Sequence, residues 1–159
     1  MIVYPVFSLT QRQHLSSPRL NRSPVIDSKQ LAAAAAFLAD EKKAEDIHIF
    51  DVDEQFKVAD YCVVVSGNSR PHVKAIYDEL HVRLKAAGEQ HRPVEGSELG
   101  WWILLDYGSV IVHILQPDAR EYYDLENLYG ECAELDWRPI TEAEDFPELP
   151  IPTLHRRAE

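Results

Sequence analysis

The chain has 159 residues, of which 45% are hydrophobic and 27% are charged, and its formal net charge is −11. This length suits one domain with a hydrophobic core and is short for two. No apolar run approaches the roughly 18 residues that a membrane-spanning helix needs, so we expect no membrane crossing. Cys62 and Cys132 lie far apart in sequence, without the paired spacing of a zinc or redox site.

The charge is distributed unevenly along the chain. Residues 1–26 contain three arginines and no acidic residue, whereas residues 121–149 contain ten acidic residues and one arginine, a balance of −9. Nucleic-acid affinity depends largely on Lys and Arg that displace counterions from phosphates. The composition therefore argues against direct, sequence-specific nucleic-acid binding and favours a basic partner. The alternative is a solvated acidic tail that only aids solubility.

Residues 1–26 lack helical or strand periodicity and contain three prolines among serines and arginines. This composition predicts a disordered or targeting-like extension, similar to an organelle transit peptide. A helix follows, because Asp27 and Ser28 form a good cap and the apolar spacing from Leu31 onward has a helical period. We expect this helix over residues 27–43.

Two strands and a second helix are predicted next. Alternating side chains over residues 47–53 indicate a first strand. The denser apolar run over residues 61–66 is typical of a central strand that is buried on both faces. Ser69 is placed to cap the following helix and Pro71 fits its first turn, so we expect a helix over residues 70–87.

The second half of the chain contains a possible short strand near residues 92–95 and then a clear hairpin. The apolar runs 101–105 and 110–115 flank a turn at residues 106–109, which contains glycine and aspartate. These segments add three strands to the two that precede them.

A last helix is predicted from Pro117, which fits a helix start, to Gly130, which fits a helix end. The prolines beyond Gly130 argue against a folded continuation, so we expect a domain over residues 27–130 and an acidic, proline-containing tail over residues 131–159. The order of elements predicts an α/β (α+β) domain. Its core would be a mixed sheet of about five strands with helices packed on it.

Asp51 and Asp53 are the best candidates for catalysis. Two carboxylates at positions i and i+2 of a strand face the same way, as a divalent-metal site for phosphoryl transfer requires. The nearby turn Gly67-Asn68-Ser69 would suit a phosphate, which would give a metal-dependent, nucleotidyltransferase-like enzyme. The alternative is that the acids end an edge strand in solvent. Since a Gly-rich phosphate loop and a third ligand are missing, we expect no catalytic residue, no metal and no cofactor.

Histidines and aromatic residues point away from catalysis. The seven histidines show no metal-ligand spacing, and His113, inside an apolar strand, is predicted to be a hydrogen-bonded core residue. Trp101 and Trp102 face opposite sides of a strand, so one of them covers a second layer or lies on a surface that binds a partner. On the last helix, we expect Tyr122 to join the apolar stripe and Tyr123 to face outward.

A series of short segments between about residues 31 and 129 forms a further pattern. In chain order they are Lys43-Ala44-Glu45-Asp46-Ile47, Asp51, Ala59-Asp60-Tyr61, Ser66-Gly67-Asn68-Ser69, His72-Val73-Lys74-Ala75, Val94-Glu95-Gly96, Trp102-Ile103-Leu104-Leu105-Asp106-Tyr107-Gly108, Val112-His113, Gln116-Pro117, Arg120 and Tyr123-Asp124-Leu125-Glu126. In order and spacing, this set resembles the ribosomal silencing factor family, which includes the iojap-related proteins. The resemblance covers essentially the whole predicted domain.

The resemblance implies a protein that binds the large ribosomal subunit through its ribosomal protein numbered fourteen. Such binding blocks joining to the small subunit and represses translation, without catalysis. The resemblance also implies an α/β fold similar to nucleotidyltransferases, formation of a homodimer and a cytoplasmic location. Chloroplast or mitochondrion is the alternative location, because residues 1–26 are rich in Arg and Ser.

Carried over to this sequence, the partner-binding residues are Trp102, Asp106, Tyr107, Tyr123, Asp124 and Glu126. Two alternatives stand beside this assignment. Trp102 could belong to the core, and Asp106 and Tyr107 could serve only to shape the hairpin turn.

Overall fold

The computed structural model describes residues 26–94 and 100–152. The predicted extension over residues 1–26 therefore lies outside the described residues, except for Ile26. The helices are α1 (Ser28–Glu41), α2 (Asp53–Phe56), α3 (Arg70–Ala86), α4 (Pro117–Tyr123), α5 (Leu125–Leu128) and α6 (Arg138–Thr141). The strands are β1 (Glu45–Asp51), β2 (Tyr61–Ser66), β3 (Trp102–Asp106), β4 (Val110–Leu115) and β5 (Ala133–Glu134).

The strands form one mixed sheet in the order β3-β4-β2-β1-β5. The central strands β2 and β4 are parallel, with Val63 opposite Val112, and the other pairings are antiparallel. Strand β2 is buried on both faces, as its dense apolar run predicts. The predicted α/β fold with a mixed five-stranded sheet is confirmed.

One face of the sheet is covered by α1 and α3. Helix α1 is rich in alanine and is buried on most sides, because it packs against the sheet, α3 and α6 at once. Small side chains allow this close approach in several directions. The Asp27 carboxylate accepts the Gln30 amide hydrogen bond at 2.8 Å and the Gln30 side chain accepts from Asp27 at 3.2 Å, so the predicted start of this helix is confirmed.

Within the described part of the chain, the other face of the sheet is covered by the short helices α4 and α5, with Phe56 of α2 at its edge. Its core contains Phe50, Val64, Leu115 and Leu125, with Tyr129 at the edge. Alternation along each strand separates the two faces: in β2, Val63 and Val65 belong to the α1/α3 face, and Val64 belongs to the α4/α5 face. This thinner cover leaves aromatic residues near the surface.

Residues 131–152 are folded, contrary to expectation. Strand β5 pairs with the end of β1, and Trp137 is buried with its ring 6.4 Å from that of Phe37. Pro139 does not break the structure because it lies in the first turn of α6, where a missing N–H costs nothing. Further along, the Arg83 guanidinium donates to the carbonyl of Leu149 at 3.0 Å. Apolar side chains in this segment thus add to the core.

The fifth strand of the sheet is a different one from that predicted. Residues 92–94 form no strand, although the Arg92 amide donates to the Asp106 carbonyl at 2.9 Å. The fifth strand is instead β5, which lies at the edge of the sheet beside β1. The total of five strands is therefore correct, while the prediction of a strand at residues 92–95 is wrong for its described part.

Candidate partner-binding site

The carboxyl ends of the parallel strands β2 and β4 lie side by side, with Ser66 opposite Leu115. The segment that enters β3 is tied to the start of α4 at this end of the sheet. The Gln116 amide donates to the Trp101 carbonyl at 3.0 Å, and the Gln116 side chain donates to the Gly100 carbonyl at 2.7 Å. Two elements that are distant in sequence are thereby held together where their aromatic residues meet.

Four aromatic side chains meet at this end, and we call Trp101, Trp102, Tyr122 and Tyr123 the aromatic quartet. The rings of Trp102 and Tyr123 are 4.3 Å apart, and those of Tyr122 and Tyr123 meet edge to face at 4.9 Å. The Trp101 ring lies 5.8 Å from Tyr123 and 6.1 Å from Tyr122. These tilted and edge-to-face contacts hold the rings in defined orientations.

The quartet has an inner pair and an outer pair. Trp102 and Tyr123 are half-buried, whereas Trp101 is 38% exposed and Tyr122 is 69% exposed. The prediction that Tyr122 joins the apolar stripe and Tyr123 faces outward is thus wrong. Tyr123 lies one turn after the buried Ala119 and therefore faces the sheet. The four-residue spacing between Ala119 and Tyr123 could have predicted that both face the sheet.

A break in the last helix explains why its predicted stripe fails. Asp124 adopts a left-handed conformation, with φ of 52° and ψ of 53°, so α4 and α5 are separate helices. Leu125 and Tyr129 are buried, but Tyr122 precedes the break and is out of phase with them. Asp tolerates this conformation better than most residues do. The break at Asp124 leaves one side of α4, including Tyr122, facing solvent.

Behind the quartet lies a buried polar chain. The Trp102 indole N–H donates to His113 Nδ1 at 3.1 Å, and His113 Nε2 lies 3.4 Å from the Tyr129 hydroxyl. Burial, with a smaller contribution from the Arg120 charge, lowers the pKa of His113 to about 3. His113 is therefore neutral, and the prediction of a hydrogen-bonded core histidine is confirmed. Burial likewise raises the pKa of the Cys62 thiol to about 12.

Arg120 forms the base of a neighbouring acidic cleft. Its guanidinium is buried, donates to the Ser66 hydroxyl at 2.7 Å and pairs with the Glu126 carboxylate at 2.5 Å. Together these contacts join β2, α4 and α5 across the break at Asp124. Because the buried Arg120 charge needs its partners, the pairing with Glu126 fixes the position of α5. Glu126 is one of the contact residues predicted from the sequence, whereas Arg120 is not.

The cleft is open, has a volume of about 430 Å³ and is mainly acidic. Its lining residues are Asp46, Ser66, Pro117, Arg120, Glu121, Asp124 and Glu126. Asp124 and Glu126, two of the predicted contact residues, are exposed here beside the aromatic quartet. Four of the six predicted residues, counting Trp102 and Tyr123, thus lie in one region.

Asp106 and Tyr107 lie elsewhere. Four residue steps along β3 separate Asp106 from Trp102, which is roughly 13 Å. Asp106 is 6% exposed, its carboxylate accepts the Gly108 amide hydrogen bond at 2.9 Å, and Arg92 lies 3.8 Å away. Tyr107 is 4% exposed and packs on the α1/α3 face, where burial raises its pKa. These contacts favour the alternative in which both residues shape the turn.

Asp51 and Asp53 do not share one face of a strand. Strand β1 ends at Asp51, and Asp53 begins helix α2, where its amide donates to the Asp51 carboxylate at 3.3 Å. The turn at Gly67 follows the far end of β2, roughly 17 Å from the end that pairs with Asp51. The geometry that the enzymatic alternative requires, with a joint metal and phosphate site, is therefore not found here. Within residues 26–94 and 100–152, no group of three metal-binding side chains occurs.

The α/β domain with its aromatic and acidic surface is similar to known proteins. A family model described as "Ribosomal silencing factor during starvation" matches residues 25–153. A Bacillus subtilis protein named ribosomal silencing factor RsfS is 38% identical over 114 residues, which cover 70% of this chain and 97% of that protein. A crystal structure from Chromobacterium violaceum has a TM-score of 0.64 and 33% identity, and the match covers 66% of this chain and 88% of that one. The chain belongs to the ribosomal silencing factor family, and it is thereby a translation regulator.

One similar protein carries an organellar name. The mouse protein named "Mitochondrial assembly of ribosomal large subunit protein 1" is 30% identical over 111 residues, which cover 68% of this chain and 49% of that protein. Among the helices that the structure describes, none is long and apolar enough to cross a membrane.

Proposed function

We propose that the protein binds the large ribosomal subunit through its ribosomal protein numbered fourteen and sterically blocks joining to the small subunit. Translation falls as a result, because subunits held apart cannot form the complete ribosome. Membership of the ribosomal silencing factor family supports this proposal, and so does the chemistry of the surface beside α4 and α5.

The single observation that carries the proposal is the aromatic quartet beside the acidic cleft. Large aromatic side chains supply most of the binding energy at many protein interfaces. Asp124 and Glu126 next to them favour a basic partner, because complementary charge speeds association and selects the orientation of the complex. Blocking needs only occupancy of the subunit's joining face, so no reacting group is required.

We assign the partner contacts to Trp102, Tyr123, Asp124 and Glu126. Trp102 and Tyr123 are half-buried and supply packed ring surface, while Asp124 and Glu126 supply charge at the rim. Asp106 and Tyr107, which the family resemblance implies as contacts, hold the hairpin turn in this proposal. Their contribution to binding is then indirect.

Subunit joining measured by light scattering tests the proposal. Purified small and large subunits are mixed, magnesium is raised, and the protein is added in increasing amounts. We expect the joining signal to fall in proportion to the protein added, and the protein to sediment with large subunits. Unchanged joining with no co-sedimentation would contradict the proposal.

Variants of the acidic residues separate this function from the enzymatic alternative. Asp124→Asn removes one charge and keeps a residue that tolerates the left-handed backbone, so we expect weaker binding with an intact fold. The exposed Glu41 on α1 provides a matched control, Glu41→Gln, which we expect to bind like the wild type. The variants Asp51→Ala and Asp53→Ala should inhibit subunit joining as well as the wild-type protein does. Thermal stabilisation by nucleotide with magnesium would instead favour the nucleotidyltransferase-like enzyme.

The assembly and location of the protein complete the proposal. We propose a homodimer, which analytical ultracentrifugation tests at the concentrations used for joining. We also propose a cytoplasmic location, with mitochondrion or chloroplast as the alternative, since a mouse relative carries a mitochondrial name. Fluorescence imaging of the tagged full chain distinguishes these compartments.

A further inference from the structure

The outer pair of the aromatic quartet is accessible to solvent. Trp101 and Tyr122 are exposed while Trp102 and Tyr123 are half-buried, although all four rings belong to one cluster. An exposed tryptophan and tyrosine at a ring distance of 6.1 Å form a contiguous aromatic surface. Such surfaces mark contact sites for other molecules more often than single exposed apolar residues do.

The outer pair is held in place before any partner arrives. The Trp101 backbone is fixed by its hydrogen bond from Gln116, and the Tyr122 ring rests edge to face against Tyr123 at 4.9 Å. Tyr123 in turn packs on Trp102 at 4.3 Å. Rings that are already oriented lose little conformational entropy on binding, so more of the contact energy contributes to affinity.

The exposed charges of the segment that carries Tyr122 are negative, whereas the exposed Arg70 lies against Gly100, the residue before Trp101. Asp118 and Tyr122 are both exposed and lie four residues apart on α4, so their side chains are neighbours on one face of the helix. Glu121 and Asp124 are exposed on the same short segment. Arg120, the basic residue of α4, is buried and already paired with Glu126. The surface therefore lacks a cation of its own on this helix.

A group that fits both the rings and the carboxylates is a guanidinium. Arginine stacks its planar head on aromatic faces and can donate to a carboxylate at the same time, whereas lysine is a compact and strongly hydrated charge. A nucleic-acid backbone is repelled by these acids, and so is the same face of a second copy with a net charge of −11.

We propose that Trp101 and Tyr122, with Asp118 beside them, form a docking site for an arginine side chain on a basic segment of the protein partner. The inference rests on the proposed function, because the partner is taken to be a protein of the large ribosomal subunit. It adds two aromatic contacts and one specificity determinant to those implied by the family resemblance.

Substitutions at Tyr122 separate ring stacking from simple apolar contact. Tyr122→Phe keeps the aromatic face, whereas Tyr122→Leu keeps apolar bulk without it. We expect the dissociation constant for purified large subunits to stay within about twofold for Phe and to rise about tenfold for Leu. Trp101→Ala should weaken binding to a similar extent. Val82→Ala, an exposed apolar position on α3, is the matched control and should bind like the wild type.

A peptide probe tests the arginine site without the ribosome. Tetra-arginine and tetra-lysine amides are titrated against the free full-length protein while its tryptophan fluorescence is recorded. We expect saturable binding of tetra-arginine that is several-fold tighter than that of tetra-lysine and is lost in Tyr122→Leu. Circular dichroism and the melting temperature of each variant confirm that the fold is intact.

The outcomes separate this inference from the proposed function. Failure to bind large subunits, with tetra-arginine binding that depends on Tyr122, overturns the proposed function and keeps the arginine site. Subunit binding that is unchanged in Tyr122→Leu and Trp101→Ala overturns the arginine site and keeps the proposed function. Loss of self-association in these variants, or Tyr122-dependent binding of naked ribosomal RNA, also overturns it, because the face would then serve a different occupant.

Discussion

The two ends of strand β3 present the same kinds of side chain in opposite states. At the Trp102 end, aromatic rings reach the surface and the neighbouring acids Asp118 and Asp124 are exposed. At the Asp106 end, the carboxylate holds the hairpin turn and Tyr107 is buried against the helices. Both ends resemble the family pattern, but only one end offers its side chains to a partner. What covers a residue therefore decides its role as much as its type does.

The largest expected difference between the two ends is in the stability of tyrosine variants. Tyr107→Ala should lower the free energy of unfolding by about 4 kcal/mol, because a large buried side chain leaves a cavity. Tyr122→Ala should change it by less than about 0.5 kcal/mol, because Tyr122 is on the surface. Urea denaturation measures both values. Under native conditions, Tyr122→Ala should weaken binding to large subunits more than Tyr107→Ala does.

A control at the buried tyrosine sharpens the same comparison. Among the described residues, the Tyr107 hydroxyl has no hydrogen-bond partner although it is buried. Tyr107→Phe removes this unsatisfied group and should therefore be neutral or stabilising, by up to about 1 kcal/mol. A clear loss of stability in Tyr107→Phe would show that the hydroxyl is bonded in solution, and a large loss in Tyr122→Ala would show that the two ends are alike.

The buried histidine behind the quartet gives the next largest effect. Because the pKa of His113 is about 3 in the folded protein and near 6.5 in an unfolded chain, the unfolded chain binds more protons below pH 6.5. The stability that neutral His113 supplies is thus present above pH 6.5 and is lost as pH falls toward 3. We expect a loss of about 2 kcal/mol between pH 7 and pH 5 from this group.

The variant His113→Gln isolates that effect. Its stability should be lower at pH 7, but the slope of stability against pH between 6.5 and 5 should decrease by about one proton. A residual slope is expected, because burial also lowers the pKa of His81. Denaturation curves at several pH values measure the slope. An identical slope in both proteins would mean that His113 is not the buried neutral group described above.

The smallest effect concerns charge at the two ends of β3. Asp118→Asn should slow association with large subunits by about threefold at low salt and have little effect at high salt, because exposed charges steer encounter and are screened. Asp106→Asn should leave the association rate unchanged, since that carboxylate is turned inward. Stopped-flow measurements at two salt concentrations compare the variants. Equal slowing by both would contradict the difference between the ends.

Much of the fold could be predicted from the sequence because local signals agreed with tertiary packing. Strand β2 and the hairpin of β3 and β4 lie where apolar runs and turn residues place them, and both long helices begin at their predicted caps. Strand β5 escaped prediction because two residues carry no periodicity. The fold of the tail depends on Trp137, whose burial needs partners from α1 that are about a hundred residues away in the chain.

The site was predicted only in part because exposure depends on tertiary contacts. The sequence predicts one outward-facing and one packed tyrosine at positions 122 and 123, but the two roles are reversed in the structure. Asp124, in a left-handed conformation, ends α4. A prediction based on one continuous helix therefore places Tyr122 on the wrong face. Arg120 was likewise left out of the site, because its contacts with Ser66 and Glu126 join three elements.

Hydrogen exchange of the full chain, free and bound to purified large subunits, tests the central claim most directly. We expect slower amide exchange on binding over residues 117–128 and around Trp101 and Trp102, with residues 106–109 unchanged. Protection at residues 106–109 with no change over residues 117–128 would contradict it, because the partner would then lie against the end of β3 where the structure buries the side chains.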